Sequence, residues 1–543
     1  MDVGNFPEKV VKYLIMTYGK HAIFLTVIFS AVLLINFTLS IITNIPLKNQ
    51  LSSDAELHLT HWREFSTNEG NDFANDEMFR KDTRPRGELL VNKLLVRLGE
   101  WLKVGLLEWS IWVSSLSLVV FLSGIYFVVA YSLKKPWLGF LVALGSIIPA
   151  FSLGGSTWGF LAQGFLPREL ALGIAVWIML IYFYGLEKNR IWVSRLVFLL
   201  AGIFSNWYPV LFFHFAAVFF IAEIIRLKSI RKELLIYGLL YAAGASFALM
   251  DIFIKSAQTA PIDLEVFRFR FRYMLLSSFE YTFLRYLRRF LIYIAIVTGL
   301  FIFSKKTLNR DELRPLSPWY AIWLSAALIS LAGIVLENFT TFARFLFSRA
   351  SVWFLFASMV IIAYTIHRIY EKKVKNSLLS STVLATGILL IFTGQSAIPS
   401  IYRQIKDLRI NSANYNNYIS LLENLKEVTP NDAIILASPR EANKIRAYGA
   451  RGTYVSWKEG GIALLDGKSG REWFERLHEV DAVFGQKNLE ALQKYAQAKN
   501  IRYIIYNTNE ISNDNQQLTL FPLLKSGPFV LSENLNFSEK NKN

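Results

Sequence analysis

The chain has 543 residues, of which 53% are hydrophobic, 15% aromatic and only 18% charged, and its mean hydropathy is +0.34. That composition excludes a disordered chain, which is poor in aromatics and rich in charge, and argues against an ordinary soluble enzyme, whose residues are about 25% charged. The 58 Lys and Arg against 41 Asp and Glu leave a formal charge of +17. In so apolar a chain that excess marks loops between membrane spans and not a nucleic-acid partner. Cysteine is absent, which removes disulfides, thiolate nucleophiles and thiolate metal sites.

A helix that crosses a bilayer needs roughly 20 mostly apolar residues. Eleven stretches qualify or nearly qualify: 22–42, 109–133, 137–153, 170–186, 191–204, 210–225, 234–253, 291–303, 319–336, 351–366 and 378–392. The first is too long for a cleavable signal peptide and has no small-residue cleavage pattern after it. The segments after every second span are short and basic, and with the N-terminal segment they hold 20 Lys and Arg. By the positive-inside rule these segments face the cytoplasm. An odd number of spans then puts the N-terminus inside and the C-terminus outside. The expected fold is a polytopic α-helical protein of the cytoplasmic (inner) membrane over 1–395, with an extracytoplasmic α/β domain over 396–543.

The first outer loop, 45–107, opens with acidic residues in two tight groups, Asp54-Ala-Glu56 and Asn75-Asp76-Glu77. Carboxylates so placed serve as a general base or hold a divalent cation such as Mg or Mn, with Asp54 and Glu56 the candidate ligands. The bland alternative is a solvated loop with Asp and Asn in caps and turns. The loop's second half carries Leu89, Leu90, Leu94, Leu95, Leu98, Trp101 and Leu102 at helical period, which predicts an amphipathic helix at the membrane surface. Next comes Gly154-Gly155, then Phe165-Leu-Pro-Arg168. Arg168 stands at a helix start, where the dipole disfavours a cation, so it calls for an acidic partner or an anionic ligand.

The outer loop 255–290 breaks the charge rule. It holds Arg268, Arg270 and Arg272 alternating with aromatics, and seven Lys and Arg in all. Guanidinium forks suit phosphate oxygens, although polybasic segments also attract membrane lipid headgroups generally. Arg344 and Arg349 extend this set. In the tail, 411–428 reads as a helix, 433–438 as a buried strand, 441–448 as a helix, 452–457 as a strand, 472–484 and 489–499 as helices, and 501–506 as a strand, with Phe529-Val-Leu closing the set. The tail lacks a Gly-rich phosphate loop and a nucleophile elbow, which argues against a separate enzyme. Its basic residues Arg440, Lys444, Arg446, Arg451 and Lys458 read mostly as a solvated surface.

With its acidic first outer loop, many spans and outer α/β tail, the layout resembles the GT-C superfamily of integral-membrane glycosyltransferases. Phe165-Leu-Pro-Arg168-Glu-Leu-Ala, Thr429-Pro-Asn-Asp432, Tyr448-Gly-Ala-Arg451-Gly-Thr-Tyr-Val-Ser-Trp-Lys458 and Glu472-Trp-Phe-Glu-Arg476 are similar to an uncharacterised bacterial branch. The resemblance implies an inverting transfer of a sugar from a polyprenyl-phosphate-linked donor to a glycan, lipid or protein acceptor at the outer face. One of Asp54, Glu56, Asp76 and Glu77 would be the base. Arg168, Arg268, Arg270, Arg272, Arg344 and Arg349 would bind the lipid phosphate. Two other readings stay open: a transporter or flippase for a lipid-linked or anionic cargo, and a non-catalytic scaffold. No internal repeat favours transport, and few ionisable residues, chiefly His214 and Asp251, lie within spans.

Overall fold

The computed structural model describes residues 51–66, 86–147, 164–227, 232–272, 280–339, 345–373, 409–512 and 520–535 as continuous runs, with parts of 24–50, 73–81 and 149–159 between them. Among these residues six helices are long and apolar enough to cross a membrane: Leu106–Leu133, Pro167–Glu187, Pro209–Leu227, Tyr281–Thr307, Arg310–Leu336 and Phe347–Ile369. They mark a multi-pass membrane protein. Lys232–Gly244 and Ser246–Ile254 form a seventh candidate, bent by 67°. Asn206 closes that break: its amide donates to the Gly244 carbonyl at 2.7 Å, and its side-chain oxygen accepts from Ala248 N at 2.8 Å. Backbone groups freed by a break need such partners in an apolar surround.

The count of eleven spans is therefore not reproduced. The expected spans at 22–42 and 378–392 lie largely or wholly outside the described residues. The helix at Pro136–Gly145 has ten residues and gives way to a two-stranded hairpin, β1 (Ala150–Phe151) against β2 (Thr157–Trp158). At 1.5 Å per residue it reaches about 15 Å, half the apolar thickness of a bilayer. Ile191–Ser205 has 15 residues and also falls short on its own.

The labels used below are α1 (Ser53–Phe65), α2 (Arg86–Trp101), α3 (Leu106–Leu133), α4 (Pro167–Glu187), α5 (Pro209–Leu227), α6 (Leu264–Phe271), α7 (Ser351–Lys373), α8 (Ser412–Glu423), α9 (Ala442–Gly449) and α10 (Gly467–Gly485). α4 and α5 both begin on a proline, whose fixed φ and missing N–H suit the first helical position. α2 turns Leu90, Leu94, Leu98 and Trp101 outward, with Trp101 77% exposed, while Asn92 and Val96 are buried. The expected amphipathic helix is present, with an apolar outer face.

The tail builds a five-stranded sheet in the order β4-β3-β5-β7-β6. β3 (Ile434–Leu436) lies parallel to β4 (Gly452–Thr453) and β5 (Tyr503–Asn507), whereas β7 (Phe529–Asn534) and β6 (Leu520–Ser526) complete it antiparallel. The parallel part follows from the strand–helix–strand alternation. The tail does not stand apart from the first loop. Ala55, Leu59 and Trp62 of α1 share one buried apolar cluster with Ile419 and Leu422 of α8 and Ile445 of α9. The same cluster takes in Trp109 and Val113 of α3 and Leu166 before α4, so the loop–tail body is seated on the ends of the apolar helices.

Candidate functional site

A cavity of about 490 Å³ lies where these parts meet. The starts of three apolar helices line it: Leu166 and Arg168 from α4, Tyr208, Val210 and Leu211 from α5, and Arg349 and Val352 from α7. First-turn N–H groups have no intrahelical acceptor, and the helix dipole puts partial positive charge there. The loop–tail body supplies the rest: Asp54, Leu57 and His58 from α1, Arg270 and Phe271 from α6, and Trp457, Lys458, Gly461 and Leu464 from the 3-10 turn Trp457–Leu464. Among the lining residues one carboxylate, Asp54, faces four cations, Arg168, Arg270, Arg349 and Lys458, together with His58 and His214. Such a surround favours an anion.

Each cation is held by a different device. Arg349 Nε donates to the Gly154 carbonyl at 3.2 Å. Gly154 has φ of +68°, and a Cβ there would lie 2.3 Å from Ser348 Oγ, so the Gly154-Gly155 motif is the turn that seats Arg349. Glu337 fixes the neighbouring residue by accepting from Ser348 N at 2.6 Å and Ser348 Oγ at 2.9 Å. The Arg270 guanidinium stacks between Phe271 and Trp457, 5.4 and 5.3 Å from the ring centres, and its Nε has no hydrogen-bond partner among the described residues. Arg168 has Glu169 beside it at 3.9 Å. Lys458 Nζ donates to Asp54 Oδ1 at 2.5 Å. His214 Nε2 donates to the Phe345 carbonyl at 2.9 Å, since a carbonyl can only accept.

The four candidate carboxylates are in four different situations. Asp54 opens into the cavity with its side chain 54% exposed. Desolvation works against its ionisation, but Lys458, then Arg168 and Arg270, outweigh it and hold the carboxyl below its ordinary range. Glu56 is 1% exposed on the side of α1 that packs against the tail. Burial pushes its carboxyl up to about 8, against the pull of Lys444, whose ammonium is already paired with Glu441 at 2.6 Å. Asp76 is buried in an ion cluster. Its oxygens accept from Arg446 Nε at 2.7 Å and Nη2 at 3.0 Å, from Thr453 N at 2.9 Å and from Phe79 N at 3.1 Å. Arg446 also pairs with Glu459. Glu77 sits on the exposed surface in a pair with Arg476.

Of the candidate arginines, Arg168, Arg270 and Arg349 line the cavity. Arg268 and Arg272 are exposed outside it, with Arg272 paired to Glu280 at 2.9 Å. Arg344 lies outside the described residues. A cation site shared by Asp54 and Glu56 does not fit, because residues two apart on a helix are turned about 200° from each other. Among the described residues no three His, Asp or Glu converge as a metal would need.

Sequence reasoning missed Lys458, Trp457, His58 and Tyr208 as site residues. The signal for His58 was available: it lies four residues after Asp54, hence on the same helix face. For Lys458, 404 positions from Asp54, no local signal exists.

Comparison with known proteins adds the following. The family described as "Domain of unknown function (DUF6798)" matches residues 416–480, the stretch from α8 through most of α10. No curated protein matches the chain. Among solved structures, the chain is similar to the Archaeoglobus fulgidus oligosaccharyltransferase solved with Zn and sulfate, at 12% identity and a TM-score of 0.41, over 78% of this chain and 59% of that one. It is also similar to the archaeal oligosaccharyltransferase AglB from Archaeoglobus fulgidus in complex with an inhibitory peptide and a dolichol-phosphate, at 12% identity and a TM-score of 0.38, over 78% of this chain and 61% of that one. The chain thus spans about three fifths of the length of either.

Proposed function

We propose that this protein is a membrane glycosyltransferase that moves a sugar from a polyprenyl-phosphate-linked donor to an acceptor hydroxyl, with Asp54 as the base. The observation that carries the reading is the cavity, where one open carboxylate faces three arginines, a lysine and the starts of three apolar helices. In the step proposed, Asp54 takes the proton of the acceptor hydroxyl and the oxygen attacks the anomeric carbon. The bond from that carbon to the phosphate oxygen breaks, and its electron pair leaves with the lipid phosphate. Arg168, Arg270 and Arg349 meet the charge that builds there, donors set in advance where charge develops. Cytoplasmic-membrane location with an outward-facing cavity belongs to the same proposal, supported by the basic segments at the opposite ends of the spans.

Transport is less well supported. Transporters place broken helices at the binding site, and the break between Lys232–Gly244 and Ser246–Ile254 contributes no residue to the cavity lining. The test is label transfer from a radiolabelled polyprenyl-phosphate sugar in membranes carrying the protein. Asp54→Asn loses at least about 100-fold in rate, the usual scale for a general base, whereas Glu56→Gln, Asp76→Asn and Glu77→Gln keep transfer. Full activity in Asp54→Asn refutes the assignment.

A further inference from the structure

Lys458 has a place in the cavity that substrate binding alone does not explain. It belongs to the tail, yet its ammonium closes on Asp54, the one carboxylate among the described residues lining the cavity. The turn that carries it is fixed. Glu459 Oε2 accepts from Ser456 N at 2.6 Å, its other oxygen pairs with Arg446, and Arg446 is clamped to Asp76. Trp457 N donates to the Pro439 carbonyl at 3.0 Å. The Lys458 side chain itself is not buried: it is 23% exposed, and its partner is 54% exposed. A lysine on a fixed backbone, with a flexible four-carbon stem and a compact charge, can exchange partners within one cavity.

We propose that Lys458 is an exchangeable latch: it neutralises Asp54 until a phosphate enters the cavity, then passes its ion pair to the phosphate and leaves Asp54 open to the acceptor. The inference rests on the glycosyl-transfer reading and deepens it. The anion's entry starts the exchange, and the charge balance of the reaction completes it. As the acceptor proton moves to Asp54 the carboxylate becomes a neutral acid and loses its hold on the ammonium. The electron pair of the broken bond meanwhile gives the phosphate a second negative charge. The ammonium therefore follows the negative charge from Asp54 to the leaving group. Release of Lys458 also makes Asp54 a stronger base, because the ammonium holds its proton affinity down. The tail then acts as the movable cation of the site and not as an appended module.

The test is equilibrium binding of farnesyl phosphate to the full-length protein in detergent, with farnesol as the uncharged control. Lys458→Ala weakens farnesyl phosphate binding about tenfold, and Lys458→Arg stays within about threefold of wild type. Asp54→Asn releases the latch and tightens binding about tenfold, but in the Lys458→Ala background it changes binding by less than about threefold, the non-additivity expected of a direct pair. A purely structural Lys458 moves the melting temperature and leaves this coupling at zero. Equal tightening by Asp54→Asn in both backgrounds, or wild-type affinity in Lys458→Ala, overturns the latch. Failure of the wild type to prefer farnesyl phosphate over farnesol overturns instead the function on which it rests.

Discussion

Replacing Glu56 with Gln stabilises the protein at pH 8 and makes its loss of stability between pH 5 and pH 8 shallower. The Glu56 carboxyl is buried between α1 and the tail, beside Tyr415 and Tyr418, and burial lifts it from 4.5 to about 8. In the unfolded chain the same group titrates near its ordinary value. Between these two values the folded protein keeps a proton that the unfolded chain has released. Stability from this group is therefore greatest below about pH 4.5, falls as pH rises through the window, and levels off above about pH 8. At about 1.4 kcal/mol for each full pH unit in the window, and less at its two ends where the group is partly titrated, the loss between pH 5 and pH 8 is about 3–4 kcal/mol. Glutamine keeps the shape and carries no titrating proton, so this share of the loss disappears, while that of buried Glu459, held up at about 7, remains. The assay is the unfolding midpoint of the detergent-solubilised protein at pH 5, 6, 7 and 8, followed by tryptophan fluorescence. Trp62, 1% exposed and part of the same buried cluster, is the natural reporter. Parallel loss of stability in wild type and Glu56→Gln refutes the burial argument. Loss of sugar transfer in Glu56→Gln would instead count against Asp54 as the sole base, since Glu56 is buried and does not line the cavity.

Three further outcomes are expected. Asp76→Ala strips the buried Arg446 guanidinium of one of its two carboxylates, leaving it Glu459 alone, and lowers stability by about 2–4 kcal/mol, seen as a lower unfolding midpoint and faster proteolysis of the tail. Asp76→Asn is milder, because its amide oxygen can still accept from Arg446 or Thr453 N, where Ala offers no acceptor. Gly154→Ala forces a side chain into a left-handed backbone and against Ser348; about 1–2 kcal/mol of strain displaces Arg349 and weakens farnesyl phosphate binding about tenfold. Trp101, at the exposed end of α2, is quenched by brominated lipid in reconstituted bilayers, and Leu94→Glu reduces that quenching by weakening the helix's hold on the interface.

How much of this was legible in the sequence depended on the range of the interaction. Apolar runs gave the long helices, and the alternation of apolar runs with helical patterns gave the parallel half of the tail sheet. β6 was missed because Pro522 and Lys525 interrupt it, residues tolerated there because it is an edge strand. Arg168, Arg270 and Arg349 were legible because each is chemically awkward where it stands and so asks for a partner. The choice between Asp54 and Glu56 was not made, although the phase of α1 contains it. Ser52 caps the helix by accepting from Ala55 N, and Ala55, Leu59 and Trp62 then define its buried face. At about 100° per residue, Asp54 and His58 fall on one side of that face and Glu56 on another. Pairings such as Lys458 with Asp54 and Arg446 with Asp76, separated by 404 and 370 residues, leave no local trace and need the fold.

Those two ion pairs also divide the work of the tail. The Arg446–Asp76–Glu459 cluster is fully desolvated. A charge in such a place cannot leave its partner without facing a large desolvation penalty, so the cluster locks the first loop to the tail in one arrangement. The Lys458–Asp54 pair, next door on the same turn, opens to the cavity. An exposed pair of this kind is held by about 1 kcal/mol or less, which a phosphate among three arginines readily exceeds. The locked pair sets where the ammonium can reach, and the weak pair lets it move. On the proposed latch, a site built this way exposes its carboxylate when an anion arrives, an order of events that suits the proposed sugar transfer, in which water is the competing acceptor.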